Sequence, residues 1–167
     1  MEATSKQICD RRLAAERKIF LSNTLSSIYA VPKDPDNLYE WFAVILGPEQ
    51  TPWQGGVFIL SIKFPPEYPF KQPNVLFETH VFHPNVYTDG RICLDLLQGA
   101  WKPIFTMDTI LLSIRSLLSD PNPASPANQD AAKLYEEDRH GYEMKVRECV
   151  LDSLGWILPI ELKGAVD

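Results

Sequence analysis

The chain has 167 residues, 45% hydrophobic and 23% charged, with 16 basic against 22 acidic side chains and a net charge of −6. That is the length of one domain with a sizeable core and at most a short tail. The acidic balance argues against nucleic acid as a partner, and no apolar run approaches the roughly 18 residues of a membrane span. The polar start MEATSKQ does not read as a signal peptide. Cys9, Cys93 and Cys149, with His80, His83 and His140, are too few and too scattered for a disulfide framework or a metal site. No bound metal is expected, and the free cysteines point to a reducing compartment, cytoplasmic or nuclear.

In chain order, residues 6–21 predict an amphipathic helix, because Ile8, Cys9, Leu13, Ile19 and Phe20 fall in one stripe. Cys9 on that stripe reads as a small core residue. Lys6, Arg11, Arg12, Arg17 and Lys18 outnumber Asp10 and Glu16 around it, which gives either a solvated face or a docking patch for an acidic protein. Three strand-like stretches follow, LYEWFAVIL (38–46), GVFILSIKF (56–64) and NVLFET (74–79), with a shorter one near 28–31. GPEQTPWQGG between the first two is a loop joining adjacent antiparallel strands, so the sheet is a meander with one packed face. FPPEYPFKQP cannot continue a central strand and must turn. Its Tyr68-Pro69 step is a candidate cis bond, although only about 5–6% of X–Pro bonds in folded proteins are cis.

Beyond a loop holding Cys93 and Trp101 the pattern turns helical. Met107, Ile110, Leu111, Ile114, Leu117 and Leu118 keep helical spacing, with Thr106 as N-cap. DPNPASP ends that helix, Ser125 is expected to cap the next with Pro126 in its first turn, and a last helix over 139–154 stops at Gly155. The order of elements predicts an α+β domain over 1–155 with a short tail, 156–167.

HPNVYTDGRICLDLL (83–97) sets Cys93 between a polar turn, Asp89-Gly90-Arg91, and an aliphatic run that begins with Asp95 nearby. A buried thiol would fit the run and a reactive one the loop edge. Two chemistries suit a reactive thiol here. In a hydrolase His83 would be the base and Asn85 an oxyanion donor. Alternatively the thiol accepts an acyl group from an activated donor and needs no dedicated base, since a free thiol is a few per cent thiolate near neutral pH. The residues alone leave both open.

The same stretch, with YPFKQP before it and WKPI and DPNPASPAN after it, resembles the core of the ubiquitin-conjugating enzymes over roughly residues 7–154. The resemblance implies an N-terminal helix, a four-stranded antiparallel meander and three later helices. It implies that Cys93 carries ubiquitin as a thioester and gives it to a lysine. His83 and Pro84 then correspond to structural residues. Asn85 corresponds to the asparagine that shapes the site loop and stabilises the oxyanion or the attacking geometry, and Asp95 to the acid beside the cysteine. Leu112 and Ser116 match contacts to the donor ubiquitin, and Phe70, Pro103 and Ile104 match the ligase-binding loops. Arg11 and Arg12 match the helix face where activating enzyme and ligase compete, and Ala30 the strand where some relatives bind a second ubiquitin. Ser125 stands at a gate position that is often acidic in the family. With Pro-Ala-Asn after it, Ser125 most resembles the branch acting in histone modification and DNA-damage tolerance. The implied partners are ubiquitin, its activating enzyme, a RING-, U-box- or HECT-type ligase and substrate proteins, with no nucleic acid or membrane. No cofactor is implied, because the activating enzyme consumes the ATP. The tail WILPIELKGAVD matches no part of the family pattern. Competing readings are the same chemistry with a ubiquitin-like modifier, a non-catalytic module of the same fold, and the cysteine hydrolase.

Overall fold

The computed structural model describes residues 3–22 and 27–155, so the tail at 156–167 lies outside the described residues. Helix α1 (Ser5–Ser22) precedes strands β1 (Ile28–Asp34), β2 (Asn37–Leu46), β3 (Val57–Lys63) and β4 (Asn74–Phe77). A single turn of 3-10 helix (Asp95–Leu97) is followed by α2 (Met107–Ser119), α3 (Gln129–Glu137) and α4 (Arg139–Leu154). The strands form an antiparallel sheet in the order β1-β2-β3-β4, the meander expected.

Register explains which side chains are buried, because side chains alternate between faces along a strand. Ile28 pairs with Ile45, Ala30 with Ala43, Trp41 with Ile62, Ala43 with Leu60, Ile45 with Phe58 and Leu60 with Phe77. All of these lie on one face and are buried there, together with Met107, Ile110, Leu111, Ile114 and Leu118 of α2. Ala30 therefore points into the core, and the opposite face presents its neighbours Tyr29 and Val31 with Phe42. On the strand that Ala30 marks, the outward side chains are therefore those of Tyr29 and Val31, not Ala30.

β1 runs further than the sequence pattern reaches, through Pro32 to Asp34, and turns straight into β2. Proline is tolerated because β1 is an edge strand and its missing N–H breaks no second ladder. β4, in contrast, stops at Phe77. The Tyr68–Pro69 peptide is cis.

α1 spans the predicted residues and buries Cys9 and Leu13 of the predicted stripe, with Phe20 partly buried against the core, but Ile19 is 42% exposed and Glu16 lies inside. A glutamate takes an apolar position because three groups donate to it there. The Arg12 Nε–H (2.9 Å) and the Tyr68 hydroxyl (3.0 Å) donate to its Oε1, the Met107 N–H donates to Oε2 (3.2 Å), and Arg12 brings the opposite charge. Thr106 does sit at the N-cap of α2, but its hydroxyl bonds Asp108 rather than a backbone N–H. Glu16 and Asp108 between them take the N–H groups of Met107 and Thr109.

Candidate active site

Cys93 is carried by a hairpin-like loop fastened to β4. Gly90 has φ +90°, conformational space that glycine enters without cost. Its carbonyl accepts the Phe77 N–H (2.9 Å), and a Cβ at Gly90 would collide with the Phe77 carbonyl oxygen. From this turn Val86 bridges Ile92, and the Cys93 N–H donates to the Asn85 carbonyl at 2.8 Å. Cys93 is partly exposed, while Cys9 and Cys149 are 0% and 2% exposed. Burial pushes both of those thiols above their ordinary values, which makes them poorer nucleophiles. Of the three cysteines, only Cys93 offers a thiol that a large reactant can reach.

The three residues His83, Pro84 and Asn85 tie this loop to the rest of the site. His83 is fully buried; its Nδ1 accepts the Asn85 N–H (2.9 Å) and its Nε2 lies 2.6 Å from the Leu117 carbonyl. Because Nδ1 accepts, the proton is assigned to Nε2. Burial pushes this imidazole down to about 4, so it is neutral near pH 7. With both nitrogens spent on backbone groups, His83 cannot serve as the base of a hydrolase. The Pro84 carbonyl accepts the N–H groups of Ala127 (2.8 Å) and Asn128 (3.0 Å).

Asn85 is 1% exposed, and its carboxamide is used three times. Nδ2 donates to the carbonyls of Asn122 (2.8 Å) and Ser125 (3.1 Å), and Oδ1 accepts the Asn122 N–H (2.7 Å). Both amide protons are committed to the loop over 122–125, so donation to an oxyanion requires giving up one of them. Asn122, which sequence reasoning missed, is the main partner in this fastening. Asn85 thus holds Cys93 through its backbone and Ser125 through its side chain.

Ser125 is not the cap of α3. That helix begins at Gln129, and the Asn128 side chain accepts the Ala131 N–H at 3.0 Å. The carbonyl of Pro84 captures the Ala127 and Asn128 N–H groups, which delays the helix by three residues and leaves Ser125 and Pro126 exposed in the loop. Asp95 is exposed at the start of the 3-10 turn. An open groove of about 570 Å³ joins it to Leu112 and Ser116 on the outer side of α2. Asp95, Leu112 and Ser116 therefore share one surface.

Phe70 and Ile104 are 59% and 79% exposed, and Pro103 is exposed between them in sequence terms on the second loop. The two loops are joined by the Trp101 Nε1–H, which donates to the Pro69 carbonyl at 2.8 Å. Arg11 is exposed. Arg12, on the same helix, is partly exposed and tied to its surroundings. Besides Glu16 it donates to the carbonyls of Pro103 and Phe105, each at 2.8 Å. Among the described residues no helix is long and apolar enough to cross a membrane, and no cluster of His, Cys, Asp and Glu could hold a metal ion.

The chain thus presents a reachable thiol close in sequence to a histidine with no free nitrogen. Its family is found by comparison: the description "Ubiquitin-conjugating enzyme" matches residues 12–150. Ubiquitin-conjugating enzyme E2 3 of Arabidopsis thaliana is 47% identical over 143 residues, which cover 86% of this chain and 95% of that one. Ubiquitin-conjugating enzyme E2 1 of Caenorhabditis elegans is 47% identical over 143 residues, covering 86% of this chain and 74% of that one. The chain belongs to the ubiquitin-conjugating enzyme family, and the α+β architecture expected from the resemblance is the one observed.

Proposed function

We propose that Cys93 is the residue that carries ubiquitin. Its thiolate attacks the thioester held on the activating enzyme, a new C–S bond forms, and the activating enzyme's thiolate leaves. A substrate lysine amine then attacks the Cys93 thioester, forming the isopeptide C–N bond and returning the Cys93 thiolate, while the amine gives up its proton to solvent. The observation that carries this reading is the accessibility of Cys93 against the burial of Cys9 and Cys149.

The geometry supports the roles that the resemblance implies around it. Asn85 keeps the Ser125 loop and the Cys93 loop in one arrangement, which sets the direction of attack. Asp95 and the Ser125 hydroxyl, both exposed, are the polar groups we assign to the approach of the amine. Leu112 and Ser116 receive the loaded ubiquitin along the groove from Leu94. Phe70, Pro103 and Ile104 form the ligase surface, since exposed apolar side chains on fixed loops are natural interface anchors. Arg11 supplies charge to the activating enzyme's site. The ligase is of RING, U-box or HECT type, and the protein acts in the cytoplasm or nucleus without a cofactor of its own. Charging with activating enzymes, ATP and a panel of modifiers tests the reading. A reductant-sensitive adduct with ubiquitin is expected, and an adduct formed only with a ubiquitin-like modifier would redirect it.

A further inference from the structure

Glu16 is a carboxylate 1% exposed in a helix whose other buried residues are Cys9 and Leu13. Burying such a charge is costly unless several donors meet it, and a well-packed apolar side chain often does as well for stability. What distinguishes Glu16 is where its partners lie. The Tyr68 hydroxyl belongs to the turn that carries Phe70, and the Met107 N–H opens α2 directly after the loop that carries Ile104. Arg12, held by Glu16 at 2.9 Å and lying 5.5 Å over the Tyr68 ring, donates to Pro103 and Phe105 on either side of Ile104. Burial and the neighbouring Glu16 charge both push the Tyr68 phenol up, so it stays protonated and remains a donor.

We propose that Glu16 is a positioning residue for ligase-stimulated transfer: one buried carboxylate fastens to α1 both loops that present Phe70 and Ile104, so that the two side chains are offered as a single surface. The proposal rests on the reading of Phe70 and Ile104 as ligase contacts. Two loops that move independently would have to be ordered on binding, and that cost would come out of the affinity.

The test uses the full chain, charged with ubiquitin, and an isolated RING domain chosen because it stimulates discharge of the wild-type thioester to free lysine. Glu16→Met keeps the volume of the core. It should lower RING-stimulated discharge about ten-fold, the worth of one ordinary hydrogen bond or slightly more, while ligase-free discharge stays within roughly two-fold. Glu16→Gln keeps an oxygen for Arg12 and Tyr68 but turns an amide toward the Met107 N–H, so it should recover most of the stimulation. Tyr68→Phe, one bond fewer at constant shape, should fall between Gln and wild type. Hydrogen exchange of Glu16→Met should rise in the peptides over 65–71 and 101–107 and stay unchanged in the sheet. Unaltered exchange in both loops, exchange raised throughout the sheet, or full RING stimulation in Glu16→Met would each overturn the proposal. Phe70→Ala separates this from the reading beneath it. Loss of stimulation in Phe70→Ala with none in Glu16→Met defeats positioning alone, and full stimulation in Phe70→Ala defeats both.

Discussion

Replacing Asn85 with alanine separates two ways in which a buried amide can serve this site. The substitution removes three hydrogen bonds, of 2.7, 2.8 and 3.1 Å, and leaves one N–H and two carbonyls of Asn122 and Ser125 without their partner. An unsatisfied buried group costs about 1–3 kcal/mol, but both residues are exposed and water satisfies part of the loss. The net cost is then about 2–4 kcal/mol, which lowers the melting temperature of a domain of this size by about 5–15 °C. Asn85→Asp should be no milder, because both donors become lone pairs facing carbonyls. Since Asn85 links the Cys93 and Ser125 loops, single-turnover charging and single-turnover discharge should fall together. An oxyanion donor behaves differently: its removal costs about 10²–10³ in the chemical step with no loss of stability. Differential scanning fluorimetry and the two single-turnover assays on the same preparations decide the matter. An unchanged melting temperature, intact charging and discharge slowed by about 10²–10³ would refute the fastening role.

His83 supplies a pH dependence with a definite sign. Its native value, lowered from 6.5 to about 4, means that the unfolded chain binds its proton first, so this stabilisation is complete above the unfolded value and is lost as pH falls toward the native one. About 2 kcal/mol should disappear between about pH 7 and 5 in urea unfolding, and that part of the slope should be missing in His83→Gln. Arg11→Glu should weaken charging and make its salt dependence shallower, because an exposed charge is screened over about 10 Å at 0.1 M salt; unchanged charging would make that helix face merely solvated. Ser125→Asp should discharge to free lysine faster than wild type, with the larger gain at the lower end of a pH 7–9 series, and Ser125→Ala no faster. As an exposed loop residue, Ser125 should lose at most about 0.5 kcal/mol of stability in either variant, and equal discharge rates in all three proteins would remove it from the mechanism.

Periodicity made the frame of this fold legible. The two-residue alternation in the strands and the i, i+3, i+4 spacing after Thr106 are local signals, and both elements lie where those signals put them. Residues whose roles depend on distant partners were misread. Glu16 looks like a surface charge until Tyr68, 52 residues away, is found beside it. Ser125 followed by Pro126 has the form of a helix start, yet a carbonyl far earlier in the chain, that of Pro84, takes the N–H groups which would have begun the helix. Ala30 was placed on the correct strand, but the outward face could be assigned only from the register with Ala43 and Leu60. Cys93 stands out in the sequence because its loop carries its own turn, but the residues leave two chemistries open and only the resemblance chooses between them.

The account stands or falls on which cysteine carries ubiquitin. The decisive measurement is charging of the wild type, Cys93→Ser and Cys93→Ala with ubiquitin, activating enzyme and ATP, each resolved with and without reductant. Wild type should give an adduct that reductant removes, Cys93→Ser an oxyester that survives it, and Cys93→Ala none. A reductant-sensitive adduct of normal yield on Cys93→Ala would move the nucleophile to Cys9 or Cys149, despite their burial at 0% and 2% exposure, and would contradict the site described above.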